Sequence, residues 1–257
     1  MVVTEELIRL CVRALVAQMA DVPGVELHMT RSCVLGLTGE PMADFNMLIL
    51  GDDPDAEGFL TRSVARVKAR GLPLQAMMSP RAAETLAPVA TALGLAAVGK
   101  APLMLLRAET PVQPSRPVKV VRALGPEVVS IAGDLIAAAF EAPRDVIARC
   151  IDVGLTETPG VETYVAWGDD GAMSTVTLTP TGNTAGISLM ATPPKHQRKG
   201  LGRALLTQVI ADYRRRGVAR FHLGATEAGR PLYASLGVEP IADLSAWVLQ
   251  AHPQNTP

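Results

Sequence analysis

A glycine-containing segment in the second half of the chain has the residue types of a phosphate-binding loop. Gln197, Gly200 and Gly202 are spaced as Gln-x-x-Gly-x-Gly, and an amphipathic stretch follows at once. Glycines let a ligand approach the backbone, and the first turn of a helix presents N–H groups that lack an intrahelical acceptor and carry partial positive charge. The segment is therefore predicted to bind a pyrophosphate group.

Basic side chains surround this segment. Eight of them fall between positions 195 and 220, where Asp212 is the acidic residue. The chain as a whole has a net charge of −1, so attraction of a polyanion must be local. Nucleic-acid binding is disfavoured because only one aromatic residue, Tyr213, falls among the basic ones, which is not the interleaving that nucleic-acid binding uses. The basic residues are Lys195, Arg198, Lys199, Arg203, Arg214, Arg215, Arg216 and Arg220.

The composition indicates a globular protein. Of the 257 residues, 48% are hydrophobic and 4% aromatic, so an aliphatic core is expected. No apolar run reaches the ~20 residues of a membrane span, and the N-terminus lacks a cationic segment before a hydrophobic one. We predict a cytoplasmic protein with no membrane partner. Three scattered cysteines and four scattered histidines, none at metal-ligand spacing, favour buried thiols and no metal.

The elements around the glycine-containing segment follow from periodicity and turn residues. Apolar residues at helical spacing predict a helix over 199–216, and Asp169-Asp-Gly171 and Thr181-Gly-Asn183 predict hairpin turns. The second half is therefore expected to form a mixed, mostly antiparallel α+β sheet. Strands are predicted at 118–122, 162–167, 172–179, 185–191, 219–223 and 245–249, and further helices at 126–140, 144–153 and 231–236.

A proline-containing connector divides the chain. Pro111, Pro114 and Pro117 stand at three-residue spacing, which favours an extended conformation. We place a domain over residues 1–110, a linker over 111–117 and a second domain over 118–257. Each arm has an ordinary domain length.

The two arms resemble each other. Pro88-Val-Ala-Thr-Ala-Leu-Gly94 and Pro231-Leu-Tyr-Ala-Ser-Leu-Gly237 match with a shift of 143, and an apolar stretch follows both. Upstream, the segment ending Arg70-Gly71 resembles the segment ending Arg216-Gly217, and an apolar stretch follows both. Each arm is predicted to contain, twice in succession, a helix that ends at a glycine and a strand that follows it.

The second arm resembles the GNAT superfamily of acyl-CoA-dependent N-acetyltransferases. The resemblance rests on Gln197-x-x-Gly200-x-Gly202 and on Gly229-Arg-Pro-Leu-Tyr-Ala-Ser-Leu-Gly237, in the expected order. It implies two tandem GNAT-like domains, each a mixed, mostly antiparallel sheet flanked by helices. It also implies acetyl-CoA as cosubstrate, a primary amine as acceptor and direct attack on the thioester.

The resemblance assigns roles to individual residues. Backbone groups of Met190, Ala191 and Thr192 would bind the pantetheine arm, and Tyr233 would be the general acid that protonates the leaving thiolate. Thr226 stands where many members have an asparagine. The pyrophosphate would be bound by the amides of Gln197, Arg198, Lys199, Gly200, Leu201 and Gly202, with charge added by Arg198, Lys199 and Arg203.

The general base is unassigned. Many members have a glutamate on the strand before the phosphate loop, but 185–191 contains no carboxylate. Glu162, Glu141, His222 and a water molecule are the candidates. The departures leave open a non-catalytic acyl-CoA sensor or scaffold, another acyl donor, or an oxygen acceptor. Two basic segments are expected to have no role in the site: His196 is expected to face solvent, and the helix end at 214–216 is expected to be solvated.

The first arm is expected to be a degenerate partner. Under the shift of 143, Ala90 stands where the second arm has Tyr233, and it cannot donate a proton. The counterpart of the phosphate loop is acidic and would repel a pyrophosphate. We therefore expect a monomer with an internal pseudo-dimer, or a homodimer. The acidic residues are Asp52, Asp53, Asp55 and Glu57.

Overall fold

The protein is described here by a computed structural model, which covers residues 2–113, 115–152, 155 and 158–251. The chain forms two compact units. The first unit comprises Met1–Met19, Pro23–Leu103 and the described part of Pro240–Pro257, and the second comprises Ala20–Val22 and Met104–Glu239. Compact units and homologous domains are different divisions of a chain, so the predicted domain bounds stay a prediction.

Each half of the described chain contains three successive strands, followed by alternating helices and strands. The first half contains α1 (Val2–Met19), β1 (Glu26–Met29), β2 (Cys33–Leu37), β3 (Asn46–Leu50), α2 (Ala56–Ala69), β4 (Leu74–Met78), α3 (Pro80–Ala92) and β5 (Ala96–Leu106). The second half contains β6 (Lys119–Arg122), α4 (Pro126–Phe140), α5 (Arg144–Ile147), a π-helical stretch (Ala148–Asp152), β7 (Glu162–Gly168), β8 (Gly171–Thr181), β9 (Thr184–Ala191), α6 (Leu201–Arg215), β10 (Arg220–Gly224), α7 (Arg230–Ala234) and β11 (Glu239–Leu249).

Each unit contains a mixed, mostly antiparallel sheet. In the first unit the strand order is β1-β2-β3-β4-β11, and β3 and β4 are the parallel pair. In the second the order is β10-β9-β8-β7-β6, and β9 and β10 are the parallel pair. The predicted fold class, two tandem α+β units with flanking helices, is confirmed.

The internal repeat is present in the structure as a repeated order of elements. The series β1-β2-β3-α2-β4-α3-β5 corresponds to β7-β8-β9-α6-β10-α7-β11. The ends of α3 and α7 match in detail, because Leu95 N–H donates to Ala90 O (2.9 Å) and Val238 N–H donates to Tyr233 O (3.1 Å). The donors and the acceptors of these two bonds are both related by the shift of 143. All four helices of the repeat end on a glycine with positive φ, and we call these the glycine stops: Gly71, Gly94, Gly217 and Gly237.

A carboxylate, buried in the second unit and half-buried in the first, links the first strand of each series to the end of the following long helix. In the second unit Glu162 accepts from Arg216, with an N···O distance of 2.8 Å, and from the hydroxyl of Tyr164. In the first unit Glu26 pairs with Arg70 at 3.0 Å. Each arginine directly precedes a glycine stop. We call these two interactions the strand–helix clamps.

The cores of the two units take in strands from distant parts of the chain. Trp247 and Leu249 of β11 lie in the core of the first unit with α2 and α3. Met104 and Leu106 of β5 lie in the core of the second unit with α6. The core of the first unit is therefore completed by a strand from beyond its main stretch, whereas Met104 and Leu106 lie at the start of the second unit's own stretch.

Most predicted element bounds agree with the structure, and two differ. The helix predicted over 144–153 becomes α5 followed by the π-helical stretch, and Val153 lies outside the described residues. β11 begins at Glu239 rather than at 245, because a strand is defined by its backbone ladder and can include the polar residues and the proline that the sequence pattern left out. No described helix is long and apolar enough to cross a membrane.

Candidate functional site

A cavity of about 760 Å³ opens in the second unit where two parallel strands diverge. The registered pairs of β9 and β10 end at Gly186 and His222. A bulge follows in β9, where Leu189 has φ 47° and the register against β8 shifts. The residues after Gly186 are thereby released from β10, and the segment from Ile187 to Met190 lines the cavity.

The cavity is reached from both faces of the sheet. Val165 packs with α4 on one face, whereas its neighbours Tyr164 and Ala166 pack with α6 on the other. Alternate residues of a strand point to opposite faces, so α4 and α6 lie on opposite sides of the sheet. Because the end of α4 and the start of α6 both line the cavity, it extends through the gap between β9 and β10.

The predicted phosphate loop forms the α6 side of the cavity. Gln197 donates from its side-chain amide to Thr192 O (2.9 Å), which ties the loop to the end of β9. Arg198 has φ 57°, and Gly200 has φ 72° as the N-cap residue of α6. No side chain caps this helix, so its first N–H groups stay open toward a ligand.

Ten of the twelve predicted site residues line the cavity. They are Met190, Thr192, Gln197, Arg198, Gly200, Leu201, Gly202, Arg203, Thr226 and Tyr233. Two do not. Ala191 is buried and its carbonyl accepts from the hydroxyl of Ser174 (3.0 Å), and Lys199 is exposed outside the cavity wall.

Gly202 is a position of close approach. A Cβ atom added there would lie 2.8 Å from Met190 Cε and 3.4 Å from Thr192 Oγ1. The end of β9 and the first turn of α6 therefore lie close together, and a methyl group would fit only if the flexible end of the Met190 side chain moved. Glycine at 202 thus favours close approach of a ligand to the backbone.

Two predicted binding residues also hold the site together. Arg203 donates to Ser235 O (2.8 Å) just after α7, so its guanidinium fixes the α7 end against α6. The Thr226 hydroxyl accepts from Gly229 N–H (3.1 Å) in the turn that leads into α7. Both contacts orient the short helix that presents Tyr233.

Tyr233 differs from the other two tyrosines of the chain. Its side chain is 8% exposed and lines the cavity, and its hydroxyl has no hydrogen-bond partner in the described part of the chain. The hydroxyls of Tyr164 and Tyr213 both donate to Glu162, at 2.6 and 2.7 Å. Burial raises the pKa of Tyr233 to about 12, so the phenol is protonated at neutral pH.

The candidate bases do not converge on the cavity. Glu162 is held by Arg216, which lowers its pKa to about 2 with help from Tyr164, and it does not line the cavity. His222 is buried on β10 and also lies outside the lining. Glu141 is exposed at the end of α4, next to a lining residue.

The expectation that His196 faces solvent is wrong. His196 is 5% exposed and lines the cavity, and neither ring nitrogen has a partner among the described residues. Burial, together with Lys195 and Lys199, lowers its pKa. Backbone hydrogen bonds close the turn of Pro194–His196, since His196 N–H donates to Pro193 O (2.8 Å) and Gln197 N–H donates to Pro194 O (3.2 Å).

The expectation of a solvated helix end at 214–216 agrees with the exposure of Arg215 and Arg216, whereas Arg214 is half-buried. Arg214 donates to Arg107 O (3.1 Å) and Thr110 O (2.8 Å), and Arg216 belongs to a strand–helix clamp. Arg215 is exposed and pairs with Asp212. None of the three lines the cavity.

Sequence reasoning missed the residues of the cavity that carry no chemical signature. Apolar and small residues at the ends of elements are read as core or turn residues until the fold places them. They are Ala139, Phe140, Ile187, Ser188, Leu189, Gly224, Ala228, Gly229, Pro231 and Leu232. The described chain contains no group of three or more His, Cys, Asp or Glu side chains that could hold a metal ion.

Residues 159–240 match the family model described as the Acetyltransferase (GNAT) domain, and this segment contains the divergent strands, the loop and Tyr233. No curated protein matches the sequence. The predicted resemblance to the GNAT superfamily is confirmed for this segment.

Several solved structures with the same fold are of proteins described as GNAT or GCN5-related N-acetyltransferases. A GCN5-related N-acetyltransferase from Kribbella flavida superposes with a TM-score of 0.66 at 18% identity, over 92% of this chain and 94% of that one. A GCN5-related N-acetyltransferase from Sphaerobacter thermophilus gives 0.62 at 16% identity, over 91% and 84%. A tandem GNAT protein from the clavulanic acid biosynthesis pathway gives 0.61 at 15% identity, over 91% and 85%.

The fold and the cavity thus define a GNAT-fold protein. More particularly, the chain has the fold of a tandem GNAT protein, and residues 159–240 match the GNAT acetyltransferase domain.

Proposed function

We propose that the protein is an N-acetyltransferase that transfers the acetyl group of acetyl-CoA to a primary amine. The pyrophosphate of the cosubstrate would bind to the open N–H groups at the start of α6, with Arg198 beside it. The pantetheine arm would lie along the end of β9, near Met190 and Thr192. The thioester would then lie in the gap between β9 and β10, beside Tyr233.

The chemical step would be direct attack of the amine on the thioester. The amine nitrogen forms a bond to the acetyl carbon, the carbon–sulfur bond breaks, and the nitrogen loses one proton while the sulfur becomes a thiolate. No covalent enzyme intermediate is needed. The amine must be neutral when it attacks, because a protonated nitrogen has no lone pair.

Tyr233 is the observation that carries this proposal. Of the three tyrosines it is the one whose hydroxyl is free and faces the cavity. Its pKa of about 12 lies above the ordinary thiol value of about 8.5, so complete proton transfer to a thiolate is uphill by about 5 kcal/mol. Tyr233 would therefore donate a hydrogen bond to the sulfur first, and its proton would follow only as the carbon–sulfur bond breaks.

The proton lost by the amine would leave through water. His196 is the lining residue with a lone pair available at neutral pH, but its ring nitrogens are buried away from the solvent-filled part of the cavity. Glu162 is ion-paired and lies elsewhere. Water-mediated deprotonation thus agrees best with the described residues.

The test is release of free CoA thiol from acetyl-CoA in the presence of a library of primary amines. We expect thiol release that depends on the amine, and a Tyr233→Phe variant that binds acetyl-CoA but turns over slowly. Binding of acetyl-CoA without amine-dependent thiol release would support an acyl-CoA sensor instead. Thiol release with hydroxyl acceptors alone would overturn the assignment of an amine.

A further inference from the structure

Helix α4 ends in the same geometry as the helices with glycine stops, but on a glutamate. Ala142 N–H donates to Ala137 O (3.1 Å), the bond that spans five residues at each glycine stop. The residue in the position of the glycine is Glu141, with φ 54°. The chain therefore uses glycine at four such positions and a glutamate at the fifth.

Glutamate is an unfavourable residue at this position for two independent reasons. A positive φ forces its Cβ close to the backbone, a strain that glycine avoids. Its negative charge lies at a helix C-terminus, where the partial charge of the helix is also negative. Local stability thus does not explain why residue 141 is a glutamate. Residues in strained backbone conformations are often found at functional sites.

The position of Glu141 relates it to the cavity. The preceding residue, Phe140, lines the cavity wall together with Ala139 and yet is 51% exposed, which is unusual for a large apolar side chain. Both come from α4, on the face of the sheet opposite the phosphate loop. This is the end of the cavity that acetyl-CoA, bound at the loop, would leave to the second substrate.

The turn that contains Glu141 is held in place by contacts of Arg144, which follows it in the sequence. Arg144, three residues on, donates to Ser130 O (3.0 Å) and pairs with Asp134 and Asp152. These contacts tie α5 to α4 and engage the basic residue that lies closest to Glu141 in the sequence. The carboxylate of Glu141 is exposed and has no ion-pair partner among the described residues.

We propose that Phe140 and Glu141 form an acceptor-recognition rim. The acceptor is a primary amine on an apolar body of about aromatic size that also bears a second, positively charged group. The apolar body packs on Phe140, and the second charge pairs with Glu141, since the attacking amine itself must be neutral. This inference rests on the proposed acetyl transfer and specifies its substrate class.

Three para-substituted benzylamines test the inference with acetyl-CoA as donor: 4-(aminomethyl)benzylamine, 4-methylbenzylamine and 4-(aminomethyl)benzoate. The wild type should show the highest kcat/KM with the diamine and the lowest with the carboxylate. Glu141→Gln should lower kcat/KM for the diamine about fivefold and leave the methyl compound unchanged. Phe140→Ala should lower kcat/KM for all three about tenfold, with the Kd of acetyl-CoA unchanged.

Stability measurements separate recognition from a structural role. Glu141→Gly should raise the Tm by about 2–4 °C, because glycine relieves the positive φ and the unfavourable charge, while it abolishes the preference for the diamine. Glu127→Gln is the matched control. It removes a carboxylate from the other end of α4 and should leave the preference intact.

The outcomes distinguish failure of the inference from failure of the proposed function. Turnover of the three benzylamines with equal kcat/KM, or a preference unchanged by Glu141→Gln, would overturn the acceptor rim and leave acetyl transfer standing. Without thiol release from any amine, the proposed function fails. In that case, the Kd of the diamine is measured by NMR titration with CoA present, for the wild type and for Glu141→Gln. A weaker Kd in the variant supports the acceptor-recognition rim, and equal Kd values contradict it.

Discussion

The loops that follow the third strand of each series, after β3 and after β9, show how one topology gives a closed surface in one unit and a cavity in the other. In the first unit the parallel pair β3 and β4 stays in register to Leu50 and Met78, and Ser79 N–H extends it by donating to Leu50 O (2.8 Å). In the second unit the corresponding pair separates after Gly186. The gap exists only where pairing stops early.

The two loops also differ in how their backbone donors are used. In the first unit Gly51 N–H donates to Ser32 O and Asp52 N–H donates to the carboxylate of Glu5, while the carboxylate of Asp53 accepts from Thr30 and Ser32. Neither α2 nor α6 has a side-chain cap at its start, so the difference lies in the loop before the helix. In the first unit the N–H groups of Gly51, Asp52 and Asp55 have acceptors within the protein, whereas the start of α6 leaves its N–H groups for a ligand.

This difference teaches that loss of a ligand site need not disturb the surrounding fold. The first unit keeps the element order, the glycine stops and a strand–helix clamp. It replaces the open loop by a network of its own side chains and the tyrosine by Ala90. Four predictions test this comparison, from the largest expected effect to the smallest.

Gly202→Glu should abolish acyl-CoA binding, lowering affinity by more than about 10³-fold. The new side chain would meet Met190 Cε at once and place a carboxylate against the pyrophosphate. Calorimetry should show one site per wild-type chain and none in the variant. A residual site would mean that the first unit also binds acyl-CoA. Gly202→Ala, which adds bulk without charge, should retain measurable affinity.

Tyr233→Phe should lower kcat about 10²-fold and leave the Kd of acetyl-CoA unchanged. The loss follows from removing the free hydroxyl from the cavity. Tyr213→Phe is the matched control, because that hydroxyl donates to Glu162, and it should leave kcat within about twofold. With a pKa of about 12, Tyr233 should cause no fall in rate up to pH 10. Equal kcat in both variants would remove Tyr233 from the mechanism.

Glu162→Gln should lower the free energy of unfolding by about 3 kcal/mol at pH 7. The carboxylate is 8% exposed and pairs with Arg216. Its pKa in the folded state, about 2, lies below its ordinary value of 4.5, so its contribution is complete above pH 4.5 and is lost as the pH falls through about 2. Denaturant unfolding between pH 7 and pH 2 should show a smaller decline in the variant than in the wild type, because Glu26 and Asp53, whose pKa values are also lowered, titrate in both.

Glu26→Gln, the same change in the other strand–helix clamp, should cost only about 1 kcal/mol. The Glu26 side chain is 24% exposed, three times as much as that of Glu162, so water screens its pairing with Arg70. Parallel urea titrations of the two variants check the order. An equal cost would show that exposure does not set the strength of the clamps.

Chemistry and local pattern could be predicted from the sequence. The glycines and basic residues of the loop, Tyr233 and the bounds of α4 all follow from residue type and short-range periodicity. The shift of 143 was visible because the glycine stops recur with their flanking residues. These features depend on neighbours within a few positions.

What could not be predicted depends on contacts between distant segments. Phe140 reads as an ordinary apolar helix residue until α4 is placed against the gap in the sheet. The burial of His196 depends on how its loop folds back, and the bulge at Leu189 has no glycine to mark it. The pairing of β11 with β4 joins residues about 170 positions apart, which no local pattern encodes.

The position of β11 also bears on how the protein is made. Because Trp247 and Leu249 complete the core of the first unit, the N-terminal part of the chain cannot finish folding until the last strand has left the ribosome. At about 5–20 residues per second, the interval between synthesis of β5 and of β11 is roughly 10–30 s. The unit that is synthesised first is thus the one completed last. During that interval, the edge of β4 that pairs with β11 lacks its partner strand.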